Sequence, residues 1–211
     1  MKNIYSDPIL YDSMFWWKSN DFEFWKTFIN SKNNKILELG CGTGRLSVPL
    51  IQSGASYYGL DSSDPFCMFH KEKLKKHNLK GIVYKKNMQN FSIDEKFDVI
   101  FIAFNSFLHN YTNKKAIQCL KTIKEHLNPN GKFILDILVP NPLSLYRPDN
   151  VRLEVMEYID PESEDLIKIK ETVNYDVESE IIDIHWYFIN EKRNLENKYS
   201  FSMRMFFPST I

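Results

Sequence analysis

Lys35-Ile36-Leu37-Glu38-Leu39-Gly40-Cys41-Gly42-Thr43-Gly44 is the stretch that decides how the chain folds. An apolar run of strand length meets three alternating glycines, and residues 46–53 then have helical spacing as far as Gly54. Glycine takes backbone angles closed to other residues, so the stretch predicts a sharp strand-to-helix turn. Residues 56–60 are a second strand, ending at Asp61. Asp64-Pro65 opens a helix to about His77, with proline tolerated in its first turn. Residues 81–85 are a third strand. Residues 97–102 are a fourth, almost wholly apolar and therefore buried on both faces. Residues 114–127 make an amphipathic helix closed by Asn128-Pro129-Asn130-Gly131, and residues 132–137 a fifth strand. Strands alternating with helices imply right-handed crossovers and an α/β, doubly wound, mostly parallel sheet with helices on both faces.

The flanks read differently. Residues 1–30 mix aromatic and polar side chains; Phe22, Trp25, Phe28 and Ile29 share a helical face, with Ser19-Asn20-Asp21 as candidate caps. Of Trp16, Trp17 and Trp25, two are expected in the core. After Pro140-Asn141-Pro142, residues 151–159, 166–175, 181–189 and 199–207 are strand-like, joined by polar turns at 160–163 and 190–197. Several alternate, so they predict an antiparallel β meander with one wet face. The expected organisation is 1–30, 31–142 and 143–211.

Charge balances, with 27 basic and 27 acidic residues, so no global field recruits nucleic acid or an anionic membrane. Three cysteines without regular spacing predict neither a disulfide framework nor a metal site. No signal-peptide pattern opens the chain and no apolar run reaches membrane-spanning length, so a cytoplasmic protein is expected.

The chemistry concentrates at the glycine turn. The helix that follows it offers free N–H groups and the positive end of a dipole. Asp61, at the end of the second strand, can accept hydrogen bonds from both hydroxyls of a ribose, unless it caps the next helix, a role Ser63 or Asp64 could fill. These two pieces fit an NAD(P)-binding Rossmann oxidoreductase. Against that, the pattern is Gly-x-Gly-x-Gly without the last glycine of the dinucleotide fingerprint. Glu38, just ahead of it, would repel a pyrophosphate but suits an ammonium group.

Here the chain resembles the class I S-adenosylmethionine-dependent methyltransferases, of Rossmann-like fold. Residues 36–45 look like their first motif, Gly59-Leu60-Asp61-Ser62-Ser63 like the second, Phe97-Asp98-Val99-Ile100 like the fourth strand, and Leu127-Asn128-Pro129-Asn130-Gly131-Lys132 like the turn before the fifth. The resemblance covers about residues 30–140. It implies that Glu38 and the backbone of Gly40, Cys41 and Gly42, with Arg45 beside them, hold the methionine part of S-adenosylmethionine. Asp61 would hold the ribose and Ser62 lie beside the adenine. Asn87 stands where the family has an aspartate for the adenine amino group, and the Met88 N–H would meet a ring nitrogen. Phe104 and Asn105, in the loop Ala103-Phe104-Asn105-Ser106-Phe107-Leu108-His109, would face the reactive methyl. S-adenosylhomocysteine would be the product.

A base is needed only where the acceptor must lose a proton, and His109 is the histidine placed for it. His70, His77, His126 and His185 read as solvated. The resemblance makes residues 1–30 a lid, with Tyr11 (or Tyr5) offering a hydroxyl near the methyl. The meander resembles an insertion of small-molecule N-methyltransferases that covers the acceptor or forms a homodimer interface, with Arg147, Arg152, Trp186, Tyr187 and Arg204 as candidate contacts. The family's last two strands are missing by this count, and a helix is expected to begin at 207–211. The expected activity is methyl transfer to nitrogen or oxygen of a small molecule, the alternatives being the oxidoreductase or a non-catalytic S-adenosylmethionine-binding remnant. The fourth-strand loop lacks an Asn-Pro-Pro-Tyr motif, which disfavours nucleic-acid substrates.

Overall fold

The computed structural model describes residues 3–28 and 34–209. Ile29, expected on the first helical face, and Thr210 and Ile211 lie outside the described residues. The chain divides into two compact units, residues 18–138 and residues 1–17 with 139–211.

The first unit is built on a parallel sheet. Its strands are β1 (Lys35–Leu39), β2 (Ser56–Asp61), β3 (Ile82–Lys85), β4 (Phe97–Ile102) and β5 (Leu127–Leu135), in the order β3-β2-β1-β4-β5. Helix α3 (Ser47–Gln52) joins β1 to β2, α4 (Asp64–Lys76) joins β2 to β3, and α5 (Asn113–His126) joins β4 to β5. The order reverses between β1 and β4, so the loops leaving these strands part at the carboxyl end of the sheet, where such folds take ligands. In β4, Phe97, Val99, Ile100, Phe101 and Ile102 are all buried, as a central strand between two layers requires. Trp25, on α2 (Phe22–Lys26), joins Ile36, Leu46, Leu50, Tyr57 and Phe101 in one core cluster. Burying a side chain such as Leu46 contributes about 2 kcal/mol.

The expected Asn128-Pro129-Asn130-Gly131 turn is an irregularity inside β5, whose pairing with β4 jumps from Leu127 to Lys132. Asn130, at φ +68°, absorbs the turn.

Two histidine readings are corrected. His70 and His126 are buried, not solvated. On α4 the buried stripe is Phe66, Cys67, His70 and Leu74; on α5 it is Cys119, Thr122, Ile123 and His126. Both histidines therefore stand on the inward face at i, i+3, i+4 spacing. His126 Nδ1 donates to the Thr122 carbonyl at 2.7 Å and Nε2 accepts from the Ile93 N–H at 3.3 Å, so both ring nitrogens have partners inside the fold. The cysteines, Cys41, Cys67 and Cys119, are free and buried.

The second unit is an antiparallel meander of β6 (Leu153–Ile159), β7 (Leu166–Asp176), β8 (Ile181–Asn190) and β9 (Leu195–Arg204), in that order, preceded by the short α6 (Pro142–Leu145). β9 begins four residues before the expected 199, because the polar turn closes within residues 191–194. Asp165 receives Asn190, Lys192 and Arg193 there, which tightens that turn. Alternating Ile182, Ile184, Trp186 and Phe188 are buried along one face of β8.

The N-terminal residues belong to this unit. Helix α1 (Pro8–Met14) is capped by Asp7, whose carboxylate accepts from the Leu10 N–H at 3.0 Å. Tyr5 lies 6.1 Å from Phe201, and Phe15 6.3 Å from Trp186, ring to ring. The expected lid segment is thus split, with residues 18–28 in the parallel unit. Of the three tryptophans Trp25 is the buried one, at 2% exposure; Trp16, at 72%, and Trp17 lie in the turn after α1 and are exposed, correcting the expectation of two.

Candidate functional site

The glycine loop leaves β1 under tight backbone control. The N–H groups of Gly40 and Cys41 both donate to the Leu60 carbonyl, at 2.8 and 3.0 Å, and so fasten the loop to the end of β2. Asp61 completes the tie. Its Oδ2 accepts from the Gly42 N–H at 2.9 Å and its Oδ1 from the Ser63 N–H at 2.8 Å. The cap of α4 is made by Ser63, whose hydroxyl accepts from the Phe66 N–H, so Asp61 is not spent on it. Each Asp61 oxygen keeps a further lone pair. Burial pushes the Asp61 carboxyl up, and the Ser63, Gly42 and Ser62 backbone groups pull it back.

Glu38 is buried at the end of β1, and its Oε2 accepts from the Tyr57 hydroxyl at 2.6 Å. Burial raises its carboxyl to about 8, against the opposing pull of Tyr57 and Arg45. Gly44, at φ +83°, closes the loop over His70. A Cβ at Gly44 would fall 2.3 Å from the His70 ring, so glycine is required twice over. Among the described residues, neither His70 nitrogen meets a partner of good geometry. Burial, with Lys73 nearby, holds that imidazole down at about 3 against a weak contact with the Gly42 backbone, so it is neutral.

The other expected cofactor residues divide into those the loop region presents and those it commits elsewhere. Cys41 is buried, its thiol pushed well up by burial, and its N–H and carbonyl are both engaged within the fold, by Leu60 and Gly44. Arg45 is committed to Asp21, with bonds of 2.6 and 3.0 Å, and donates also to the Lys18 carbonyl. Asp21 is accordingly no side-chain cap for α2; burial would raise its carboxyl, but Arg45, Trp25 and Lys18 hold it below the ordinary range. Ser62 is exposed. Asn87 is exposed as well, and its amide oxygen accepts from the Gln89 N–H at 2.9 Å, leaving one lone pair. The half-buried Met88 lies 3.6 Å, through its sulfur, from the Asn110 amide.

The loop after β4 is strained in a defined way. Phe104 and Asn105 are consecutive residues at φ +50° and +69°. Asp136 supports them: its Oδ2 accepts from the Phe104 N–H at 3.0 Å and its carbonyl from the Asn105 N–H at 3.3 Å. Ser106 donates to the Gly40 carbonyl at 3.4 Å and so joins this loop to the glycine loop. Asp136, Ser106 and Tyr57 were not foreseen from the sequence. For Asp136 a signal existed: it is an acid at the end of an apolar strand, as Asp61 is.

Comparison with known proteins now adds a family. Residues 36–131 match the family model of the methyltransferase domain. Over these residues the chain is similar to methyltransferase domains. A cypemycin N-terminal methyltransferase from Streptomyces is 30% identical over 105 residues, which are 50% of this chain and 42% of that protein. The chain spans about half the length of the curated relatives it matches. Among solved structures, the CcbJ methyltransferase of Streptomyces caelestis superposes with a TM-score of 0.78 at 22% identity, covering 98% of this chain and 83% of that one. CalS10 of Micromonospora echinaspora, an amino pentose methyltransferase solved with S-adenosylmethionine bound, gives 0.72 at 14% identity over 92% and 79%. These structures share the fold, meander included.

Within the parallel unit His109 ends the short turn Ser106–His109, half-buried, with Nδ1 3.3 Å from the Tyr111 hydroxyl. Tyr11 lies in the antiparallel unit, its ring 4.8 Å from Phe15 and 6.2 Å from Tyr5. The candidate acceptor contacts of that unit are mutually engaged. Glu171 receives both Arg147 and the Trp186 indole, the latter at 2.8 Å. Arg204 is paired with Glu180 at 2.6 Å. Arg152 lies 3.6 Å over the Tyr187 ring and is paired with Glu196. The same unit carries a cleft of about 530 Å³ lined by Asp7, Tyr158, Asp160, Phe188 and Tyr199 among others, none of them from the glycine loop. Among the described residues, no helix is long and apolar enough to cross a membrane.

Proposed function

We propose that the protein binds S-adenosylmethionine at the glycine loop and transfers its methyl group to an amine nitrogen of a small molecule. The observation that carries the reading is the pair of carboxyls at the ends of adjacent strands. Glu38 is buried beside the loop and, among the described residues, makes no ion pair, and Asp61 has lone pairs left over on both oxygens. A ligand with an ammonium group at one end and a ribose diol at the other matches that pair. A nicotinamide dinucleotide would place a pyrophosphate against Glu38.

In this reading Glu38 and the Gly40–Gly42 backbone hold the amino-acid end, Asp61 the ribose, and Asn87 with the Met88 N–H the adenine. When bound, the sulfonium supplies a methyl group to an attacking lone pair and leaves as S-adenosylhomocysteine. The residues contribute positioning and exclusion of water more than covalent chemistry. Phe104 and Asn105, fixed by Asp136, wall the reactive end. A neutral amine needs no base to attack; a hydroxyl acceptor would need one, and His109 fills that role. Nitrogen is favoured over oxygen because the cypemycin enzyme methylates an N-terminus and CalS10 an amino sugar by name.

Calorimetric titration with S-adenosylmethionine and with NAD tests the donor; tight binding of NAD alone refutes the reading. Incubation with a panel of small amines and alcohols, read as S-adenosylhomocysteine by mass spectrometry, tests the acceptor. His109→Ala is expected to spare amine turnover and to abolish any hydroxyl methylation.

A further inference from the structure

We propose that Tyr57 is a positioning residue for Glu38, holding its Oε2 so that Oε1 is left for the ammonium group of the ligand. This rests on the S-adenosylmethionine reading above. Tyr57 lies on β2 and pairs in register with Ile36, while Glu38 pairs with Gly59. The phenol therefore reaches along the sheet, past Gly59, to arrive 2.6 Å from Glu38. Gly59 makes that path possible. A Cβ there would fall 2.9 Å from the Tyr57 hydroxyl and 2.9 Å from the Cys41 sulfur. Both Tyr57 and Glu38 are buried, so the bond is made out of water and strengthens when Glu38 gives up its proton.

The charges around Glu38 show why a positioned carboxyl matters. Tyr57 faces it from β2 and Cys41 from the loop, Asp61 acts on it from the end of β2, and Arg45 and Asp21 from the segments before α3 and α2. Arg45 and Asp21 are bound to each other. Glu38 is thus a second acid near Asp61, and with its carboxyl raised to about 8 it carries its proton at neutral pH until a cation arrives. Binding the ammonium group then releases that proton to solvent. The Tyr57 hydroxyl, donating to the carboxylate, makes the release easier; without it Glu38 keeps its proton to higher pH.

The test uses two probes on the whole protein. S-adenosylhomocysteine carries the ammonium group, and 5′-methylthioadenosine is the same nucleoside thioether without the amino-acid end. Their affinities are measured by calorimetry at pH 6, 7 and 9 for the wild type, Tyr57→Phe and Gly59→Ala. Comparing proteins at one pH cancels the titration of the probe itself. In the wild type, S-adenosylhomocysteine binding at pH 7 releases close to one proton, read from two buffers of different ionisation enthalpy, and methylthioadenosine binding releases none. Tyr57→Phe weakens S-adenosylhomocysteine about tenfold at pH 7, the loss of one hydrogen bond to a charged group, and much less at pH 9. It leaves methylthioadenosine within about twofold. Gly59→Ala, which displaces the phenol, gives the same signature and decides the matter where circular dichroism shows Tyr57→Phe unfolded. An equal loss for both probes, a loss independent of pH, or no loss overturns the positioning role while leaving the cofactor reading intact. A wild type that binds neither probe overturns the cofactor reading and this inference with it.

Discussion

In the antiparallel unit Glu171 receives an arginine and an indole, and Glu180 receives an arginine; in the parallel unit Glu38 meets a phenol and His70 has no well-made hydrogen bond. Both units bury ionisable side chains. One pairs Glu171 and Glu180 with arginines, which fixes a fold; the other, beside its own Arg45–Asp21 pair, buries Glu38 and His70 neutral, at an energetic cost to the empty protein. A buried ionisable group without its partner is an incomplete structure, and what completes it is a ligand. The contrast distinguishes the structural carboxylates of the meander from the candidate functional ones of the glycine loop, although sequence alone makes them look alike.

The harshest way to probe the contrast is Gly44→Ala. The added methyl meets the His70 ring and the residue keeps φ +83°, so strain and overpacking together cost on the order of 3–5 kcal/mol, read by urea denaturation. Adding His70→Ala should recover the packing part and leave the backbone part.

Neutralising one glutamate in each unit should give effects of opposite sign. Glu171→Gln leaves the largely buried Arg147 without its counter-charge and loses on the order of 3 kcal/mol. Glu38→Gln should gain stability as pH rises. The folded Glu38 titrates near 8 against an ordinary 4.5, so between these values the native state holds a proton that the unfolded state has lost, and wild-type stability falls with rising pH. The variant lacks this penalty, and its advantage at pH 8 over pH 5 should be on the order of 3 kcal/mol. Equal responses from the two glutamates would abolish the distinction between the units.

His70 gives a smaller effect at the acid end. Its imidazole is held down at about 3, so the unfolded state binds a proton below the ordinary 6.5 that the native state refuses. Stability is lost as pH falls from 6.5 toward 3. His70→Leu should flatten that limb by about 2.7 kcal/mol at pH 4.5, seen in denaturation curves across pH. The mildest test is Asp61→Ala, which should weaken S-adenosylhomocysteine binding by roughly 1–2 kcal/mol in calorimetry. Unchanged affinity would remove the ribose assignment.

Much of the parallel unit was legible because its signals are local. The glycine turn, the apolar β4 and the proline opening α4 each act within a few residues. His70 and His126 depart from expectation although the information is present, while His77 is exposed as expected. Phe66, Cys67 and Leu74 around His70, and Cys119 and Ile123 around His126, already marked the inward stripe, and the polar imidazole was allowed to outweigh the helical period. What lay beyond the sequence was long-range partnership. Asp21 looks like a cap, and only folding shows it spent on Arg45. Tyr57 looks like any strand aromatic until its hydroxyl is found at Glu38. The N-terminal aromatics gave no sign that they would pack on strands from the far end of the chain, because such packing is set by tertiary context.

The three buried thiols give the protein built-in clocks. Only a thiolate reacts readily with alkylating reagents, and burial pushes Cys67 up to about 11 and Cys119 up to about 12, with Cys41 also far above its usual range. Labelling must then wait for the backbone around each sulfur to open. Cys41 times the glycine loop, Cys67 the start of α4 and Cys119 the middle of α5. Three labelling rates, resolved by peptide mass, would rank how often each part of the sheet's surroundings breathes, and which of them falls silent when a ligand settles in.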